Sequence, residues 1–379
     1  MMRVADYIAD YVYKLGVYEV FMLSGGGMMF LSDGLAKNIK LKKICTHHEQ
    51  AAAMAAVSYA KYKGKIGVAY LTTGCGGTNA VTGVLNAWQD NTPCLFISGQ
   101  SKRKETVRNS GLKLRQFGVQ EADIIPIVES ITKYSVMVND PEKIAYHLDK
   151  AVFLACSGRP GPVWIDVPMD VQSSLINEEG LVRFSARDEK NEYKVEPTIG
   201  EIGYFKRELA SAKRPIILAG QGIRLSKSIC LFREFIEKTN IPVVVSRLGF
   251  DILPTEHPLF VGCIGNKGTR AGNFAVQNAD LVVAIGSRLS VSTTGHEYST
   301  FAREAKIIVV DIDPEEHKKN TVRIDFFINA DAGKFLKKIQ TIKLLDTTEW
   351  IKKCQYWREK YPVFLPEYAK DKVGINLYY

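Results

Sequence analysis

Short apolar runs alternate with amphipathic stretches along most of the chain. The first run, Glu19–Leu23, stops at Ser24-Gly25-Gly26-Gly27 and leads into a helical pattern through Ala36. A second strand ends at Ile44-Cys45, before an alanine-rich helix in HHEQAAAMAAVSYAKYKG. Strand IGVAYL, loop TTGCGG, a helix from about Thr78 to Trp88 and strand PCLFIS come next. Further on lie a helix at Pro141–Cys156 and strand GPVWIDVP. Continuous apolar strands are buried on both faces, and their alternation with helices implies a parallel sheet.

Between about Gln172 and Pro197 the pattern breaks into the charged stretch NEEGLVRFSARDEKNEYKVEP, which reads as a linker. A second alternation follows: helix Ile199–Ala212, strand PIILAG, helix Lys227–Lys238, strand IPVVVS, helix Thr269–Asn278, strands LVVAIG and KIIVVDID, and a helix near Asp331–Ile342. The expected fold class is α/β: two doubly wound domains with mostly parallel sheets covered by helices on both faces, the second six-stranded. The boundaries are 1–173 for the first domain, 174–196 for the linker, 197–345 for the second, and 346–379 for a tail approaching a further domain. No fixed-period self-similarity relates the two blocks.

A length of 379 residues suits two or three domains, and 46% hydrophobic with 24% charged residues is a globular balance. No apolar run reaches the ~18 residues that span a bilayer. MMRVADYIADYVYKLG carries Asp6 and Asp10 within its apolar pattern and reads as an amphipathic helix, not a signal peptide. Seven cysteines without a CxxC pair read as reduced thiols of a cytoplasmic protein. The net charge of +9 is spread along the chain without a nucleic-acid-binding motif. Neither nucleic acid nor membrane is expected as a partner, and the excess reads as solvated surface or as attraction for small anions.

Glycines 25–27 stand where a strand turns into a helix, which suits either a tight turn or backbone N–H groups aimed at a ligand. TTGCGGTN repeats that pattern with Gly74, Gly76 and Gly77, and places Thr78 or Asn79 to cap the next helix. Neither loop has dinucleotide or P-loop spacing. Glu49 has two readings. Thr46-His47-His48-Glu49 fits a capping box. A glutamate followed by AAAMAA also meets apolar, tightly packed surroundings, where a carboxyl is disposed to share a proton with a ligand nitrogen.

Four segments, in this order and at these intervals, resemble the acetolactate (acetohydroxyacid) synthase family: VFMLSGGGM, HHEQAAAMAAVSYAKYKGKIGV, TTGCGGTNAVTGVLNAWQDNTPCLFISGQ and SGRPGPVWIDVPMDV. GNFAVQNADLVVAIGSRLS and VVDIDPEEHKKN continue the resemblance through the second domain. It implies the pyrimidine-binding and central domains of a thiamine-diphosphate enzyme. Glu49 then matches the glutamate that hydrogen-bonds N1′ of the aminopyrimidine, and sharing that proton activates the cofactor toward a 2-keto acid. Gln120, in GVQEAD, resembles the active-site glutamine near the substrate. Gly26, Gly74, Gly76, Gly77 and Asn79 would lie against the cofactor. His48 matches the histidine that usually precedes this glutamate, while His47 has no assignment.

The resemblance also implies FAD in the central domain, at Arg159, Gly220, Gly222, Gly265, Gly286, Arg288, Asp311 and Asp313. The residues alone allow turns and an Asp-Pro helix start there. Ser24, Cys75 and Val119 depart from the proline, proline and phenylalanine that the family favours. SKRKETVRNSGLKLRQ carries six Lys or Arg against one Glu, and reads as a solvated loop or as admission for a phosphate-bearing acceptor. The family's diphosphate and magnesium motif, GDG followed by Asn, does not occur in these residues. The chain is therefore expected to supply half of a site that a third domain or a separate subunit completes within a homodimer or homotetramer, with negligible turnover alone. The expected reaction is decarboxylation of pyruvate or another 2-keto acid and ligation to a carbonyl acceptor. Its rivals are simple decarboxylation and a non-catalytic nucleotide-binding or regulatory role.

Overall fold

The computed structural model describes residues 1–189, 193, 196–343 and 346–370, and divides the chain into two units, Met1–Asn191 and Glu192–Tyr379. The first contains β1 (Met2–Arg3), β2 (Glu19–Met22), β3 (Lys42–Cys45), β4 (Gly67–Leu71), β5 (Cys94–Gln100), β6 (Ser135–Met137), β7 (Pro162–Pro168) and β8 (Leu175–Ile176). Six of them form a parallel sheet in the order β3-β2-β4-β5-β7-β6, while β1 and β8 pair antiparallel. Every residue of β4, β5 and β7 is buried, as their unbroken apolar runs require. Alternate side chains feed opposite faces: Val68, Tyr70, Leu95 and Ile97 enter one core, and Ala69, Leu71, Cys94 and Phe96 enter the other. The alanine-rich helix Glu49–Lys63 buries Ala52, Ala53, Ala56 and Ala60. A Cβ on Gly67 would stand 2.1 Å from the Ala56 carbonyl oxygen, so missing side chain on both partners lets the helix press onto β4.

The second unit contains β9 (Pro215–Ala219), β10 (Val243–Val245), β11 (Phe260–Cys263), β12 (Leu281–Ile285), β13 (Lys306–Asp311) and β14 (Phe326–Asn329). They form a parallel sheet in the order β11-β10-β9-β12-β13-β14. Ile217 and Ala219 face one core, Ile216 and Leu218 the other. In each sheet the strand order reverses near the middle, between β2 and β4 in the first and between β9 and β12 in the second. At such a reversal the connections leave the carboxyl edge in opposite directions and open a crevice.

Several features depart from the sequence pattern. The helix expected from Thr78 to Trp88 is two, Cys75–Asn79 and Val81–Gln89. β6, β11 and β14 come from runs too short to register as periodic. The start of the segment read as linker, 174–196, belongs to the first unit: β8 pairs with β1, and Ile176 and Leu181 are buried in its core. Charge density hid a two-residue strand whose anchors are single apolar side chains. The stretch read as tail, 346–379, begins with helix Thr348–Lys360, which buries Trp350, Cys354 and Trp357 in the second unit. The rest of the linker at 190–192, 194 and 195, residues 344–345, and the tail at 371–379 lie outside the described residues.

Trp350 is 5% exposed and its indole N–H donates to the Pro215 carbonyl oxygen at 3.0 Å. Trp350→Ala is expected to cost the second unit about 3–5 kcal/mol, read as a fall in its urea unfolding midpoint.

Candidate functional site

At the reversal in the first sheet, the turns after β2 and β4 stand together. The Thr72 hydroxyl accepts from Gly27 N–H at 3.1 Å, and Gln172 Nε2 donates to the Gly27 carbonyl oxygen at 2.7 Å. Gly26 faces open space, with nothing within 4 Å of the position its Cβ would take.

Glu49 opens helix Glu49–Lys63 and is 8% exposed. Asn79 Nδ2 donates to its Oε2 at 2.9 Å. Among the described residues nothing donates to Oε1. A Cβ on Gly76 would lie 3.1 Å from Oε1 and 2.4 Å from Thr72 Cγ2, so glycine is what leaves this carboxyl oxygen uncovered. The expected capping box is absent. His48 is the N-cap, its Nδ1 accepting from Gln50 N–H at 3.1 Å, and Thr46 donates to the His48 carbonyl oxygen at 2.8 Å. The imidazole thus satisfies the helix start and frees Glu49 to turn toward Asn79. Nor do Thr78 or Asn79 cap a helix: Thr78 bonds back to the Cys75 carbonyl oxygen at 3.1 Å, and Asn79 ends its helix. His47 is exposed.

Gln120 arrives from the other side. It is exposed, with φ of +54°, and its carbonyl oxygen would be 1.9 Å from a Cβ on Gly74, itself at φ +63°. Only glycine tolerates both that angle and that approach. The buried Glu121 carboxylate holds the loop by accepting from Val107 N–H at 2.7 Å and Phe117 N–H at 2.9 Å. The structure thus gathers Glu49, Gly74, Gly76, Asn79 and Gln120 around one turn, with Gly77 buried in it. Of the six basic residues nearby, Arg103 is paired with Asp170 at 2.8 Å and Arg108 with Asp123 at 3.0 Å. Lys102, Lys104, Lys113 and Arg115 are exposed.

Sequence reasoning passed over a buried polar group beneath these loops. Asp166 on β7 is 1% exposed, and accepts from Ser98 Oγ at 2.6 Å and Gln100 Nε2 at 3.0 Å. Burial pushes its carboxyl up to about 7 despite those two donors. An acid in the middle of the apolar strand PVWIDVP was the available signal.

The central-domain candidates divide. Arg159 belongs to the first unit, where its Nε donates to Asn91 Oδ1 at 2.6 Å. Gly220 and Gly222 follow β9 and Gly286 follows β12, at the reversal of the second sheet. A Cβ on Gly220 would be 2.2 Å from the Gly286 carbonyl oxygen, so these glycines first serve each other's approach. Gly265 lines a cavity with Asn266, Asn273, Thr293 and Gly295. Arg288 reaches Glu316 at 3.5 Å. Asp311 accepts from Asp313 N–H and Asp313 from Glu315 N–H, both at 3.0 Å, closing consecutive turns. Among the described residues no group of three or more His, Cys, Asp or Glu is placed to hold a metal ion.

A carboxyl whose folded pKa is raised contributes its full stability below the unfolded value of about 3.9, and loses it as pH rises through the folded one. For Asp166 that loss runs from about pH 4 to beyond about 7. Urea midpoints measured against pH are expected to fall less between about pH 5 and 8 in Asp166→Asn than in the unaltered chain.

Known proteins resemble this chain over both units. Residues 2–126 match the N-terminal TPP binding domain of thiamine pyrophosphate enzymes, and residues 205–339 match their central domain. The acetolactate synthase large subunit of Lactococcus lactis is 34% identical over 92% of this chain and 59% of its own length. A probable acetolactate synthase large subunit of Methanocaldococcus jannaschii is 36% identical, over 93% and 58% respectively. The isozyme 2 large subunit of Escherichia coli is 32% identical, over 95% and 62%. The chain spans about three fifths of the length of these relatives. The chain thus carries, one in each unit and in succession, the N-terminal and central domains of the thiamine pyrophosphate enzymes.

Proposed function

We propose that this chain forms the pyrimidine side of a thiamine-diphosphate site in an acetolactate synthase-like enzyme. That enzyme decarboxylates pyruvate or another 2-keto acid and joins the acyl unit to a carbonyl acceptor. The observation that carries this reading is the Glu49 carboxyl, buried, held at one oxygen by Asn79 and open at the other in front of Gly76. An open oxygen in low-dielectric surroundings fits a ring nitrogen with which it shares a proton.

When bound, thiamine diphosphate supplies the electron-accepting thiazolium on which a 2-keto acid loses carbon dioxide. Glu49 would hold a proton at the pyrimidine nitrogen, and Asn79 would fix the carboxylate plane. Gly26, Gly74, Gly76 and Gly77 would admit the cofactor against the backbone. Gln120 would face the substrate, presented by its own left-handed backbone. We assign the diphosphate and magnesium to residues outside this sequence, which contains no GDG motif, and the completed site to a homodimer or homotetramer. The described residues contain no helix long and apolar enough to cross a membrane. We place the protein in the cytoplasm, where its seven free cysteines would stay reduced.

For the complete protein, Glu49→Gln is expected to lower pyruvate consumption and acetolactate formation by about 10²–10⁴-fold with circular dichroism unchanged. Undiminished turnover would instead favour a binding role for the fold.

We further assign FAD, in a structural capacity, to the second unit. The crevice at its strand reversal, the neutral polar cavity beside Gly265, and Asp311 at the carboxyl end of β13 support this. Protein purified without added flavin is expected to show the visible absorption bands of oxidised flavin, and a colourless preparation that takes up none on titration would remove the assignment.

A further inference from the structure

Between the two loops of the candidate site runs a chain of side chains whose donors converge on the Asp166 carboxyl. Trp164 Nε1 donates to Ser98 Oγ at 2.8 Å, and Ser98 donates to Asp166 Oδ1 at 2.6 Å. Asp166 Oδ2 accepts from Gln100 Nε2 at 3.0 Å. The same amide nitrogen donates to the Ala122 carbonyl oxygen at 2.9 Å, two residues past Gln120. On its other side, Gln100 Oε1 accepts from Thr73 Oγ1 at 2.6 Å and Ser101 N–H at 2.9 Å. Ser98, Gln100 and Asp166 are each 1% exposed, so water does not substitute for these partners.

Two fixed points decide which way the amide faces. Ser101 N–H is a backbone donor and requires the oxygen. An ionised Asp166 only accepts, and requires the nitrogen. With both ends set, the second N–H of the amide has one direction left, toward Ala122. On the opposite side, Thr73 adjoins Gly74, the residue against which the Gln120 carbonyl packs. One buried amide therefore bonds to both loops. A leucine would fill the same space without joining them, and a glutamate would keep the Thr73 and Ser101 bonds, share a proton with Asp166 and lose the donor to Ala122.

We infer that Gln100 is a positioning residue, oriented by Asp166, that clamps the Gln120 segment to the turn carrying Gly74 and Gly76. The effect on catalysis rests on the proposed function; the clamp itself does not.

The test uses the complete protein at about pH 8, where Asp166 is mostly ionised given its value of about 7. Hydrogen exchange in peptides covering residues 117–123 and 72–79 is compared in Gln100→Glu, Gln100→Leu and Thr73→Val. Both Gln100 variants are expected to speed exchange over 117–123 by about tenfold, while Thr73→Val loosens 72–79 alone. KM for pyruvate should rise about tenfold in Gln100→Glu, with kcat changing less, because the loss is of placement. Unchanged exchange over 117–123 in a folded Gln100 variant overturns the clamp. So does a uniform rise across the whole first unit in all three variants, which would mark Gln100 as merely structural. Faster local exchange at unaltered KM upholds the clamp and removes Gln120 from the substrate's vicinity, which separates this inference from the functional reading. Should both Gln100 variants fail to fold, Thr73→Val decides: loosening confined to 72–79 supports the linkage, and none overturns it.

Discussion

A carboxyl kept almost out of water, with one oxygen left uncovered, needs backbone close on every side, and the first unit is built around that demand at Glu49. The helix that begins with Glu49 carries alanines along its buried face, so it can press onto a strand that offers glycine at the contact. The turn in front of the carboxyl carries glycine where a side chain would fill the space before Oε1. The helix start supplies favourable unpaired N–H groups, and His48 caps it without recruiting the carboxyl. Larger residues at these contacts would move the helix, and with it the group the site turns on.

The two units meet a similar requirement with different materials. Where each strand order reverses, two turns must approach closely. In the second unit glycine meets glycine, Gly220 and Gly222 against Gly286, and the backbones touch directly. In the first unit Thr72 stands between the turns, bonding one and packing under the other. A threonine spacer keeps the turns apart by a defined amount and gives each a fixed partner. Direct glycine contact draws the turns together and leaves recognition to the neighbouring loops, where the cavity beside Gly265 lies.

Much of this was legible in the sequence because parallel strands buried on both faces leave unbroken apolar runs. IGVAYL, PCLFIS, GPVWIDVP, PIILAG and LVVAIG all mark central strands. Strands that escaped, such as β6, β11 and β14, have three or four residues, at most two periods of alternation. Glu49 was legible by resemblance, while its local surroundings misled: Thr46 and Glu49 have capping-box spacing, but an imidazole two residues from Thr46 does that work. The division near residue 191 was blurred by charge, since Ile176 and Leu181 anchor a stretch whose composition reads as solvent-facing. Gln100 and Asp166 could not be joined from sequence, because 66 positions separate two residues that adjacent strands bring together.

Two of the buried acids of the first unit, Asp166 and Glu49, differ in a way that accounts for their different uses. Asp166 has both oxygens occupied, by Ser98 and by Gln100, and lies between strands with no opening toward a ligand. Its burial cost is offset by fixing neighbours in a single polarity, so its influence passes through them. Glu49 has one oxygen held and one open, beside a turn stripped of side chains. A carboxyl satisfied on both sides organises structure, whereas one satisfied on a single side remains able to bind. The geometry connects them in sequence: Asp166 orients Gln100, Gln100 holds Thr73 and Ala122, and these flank the turn that faces Glu49.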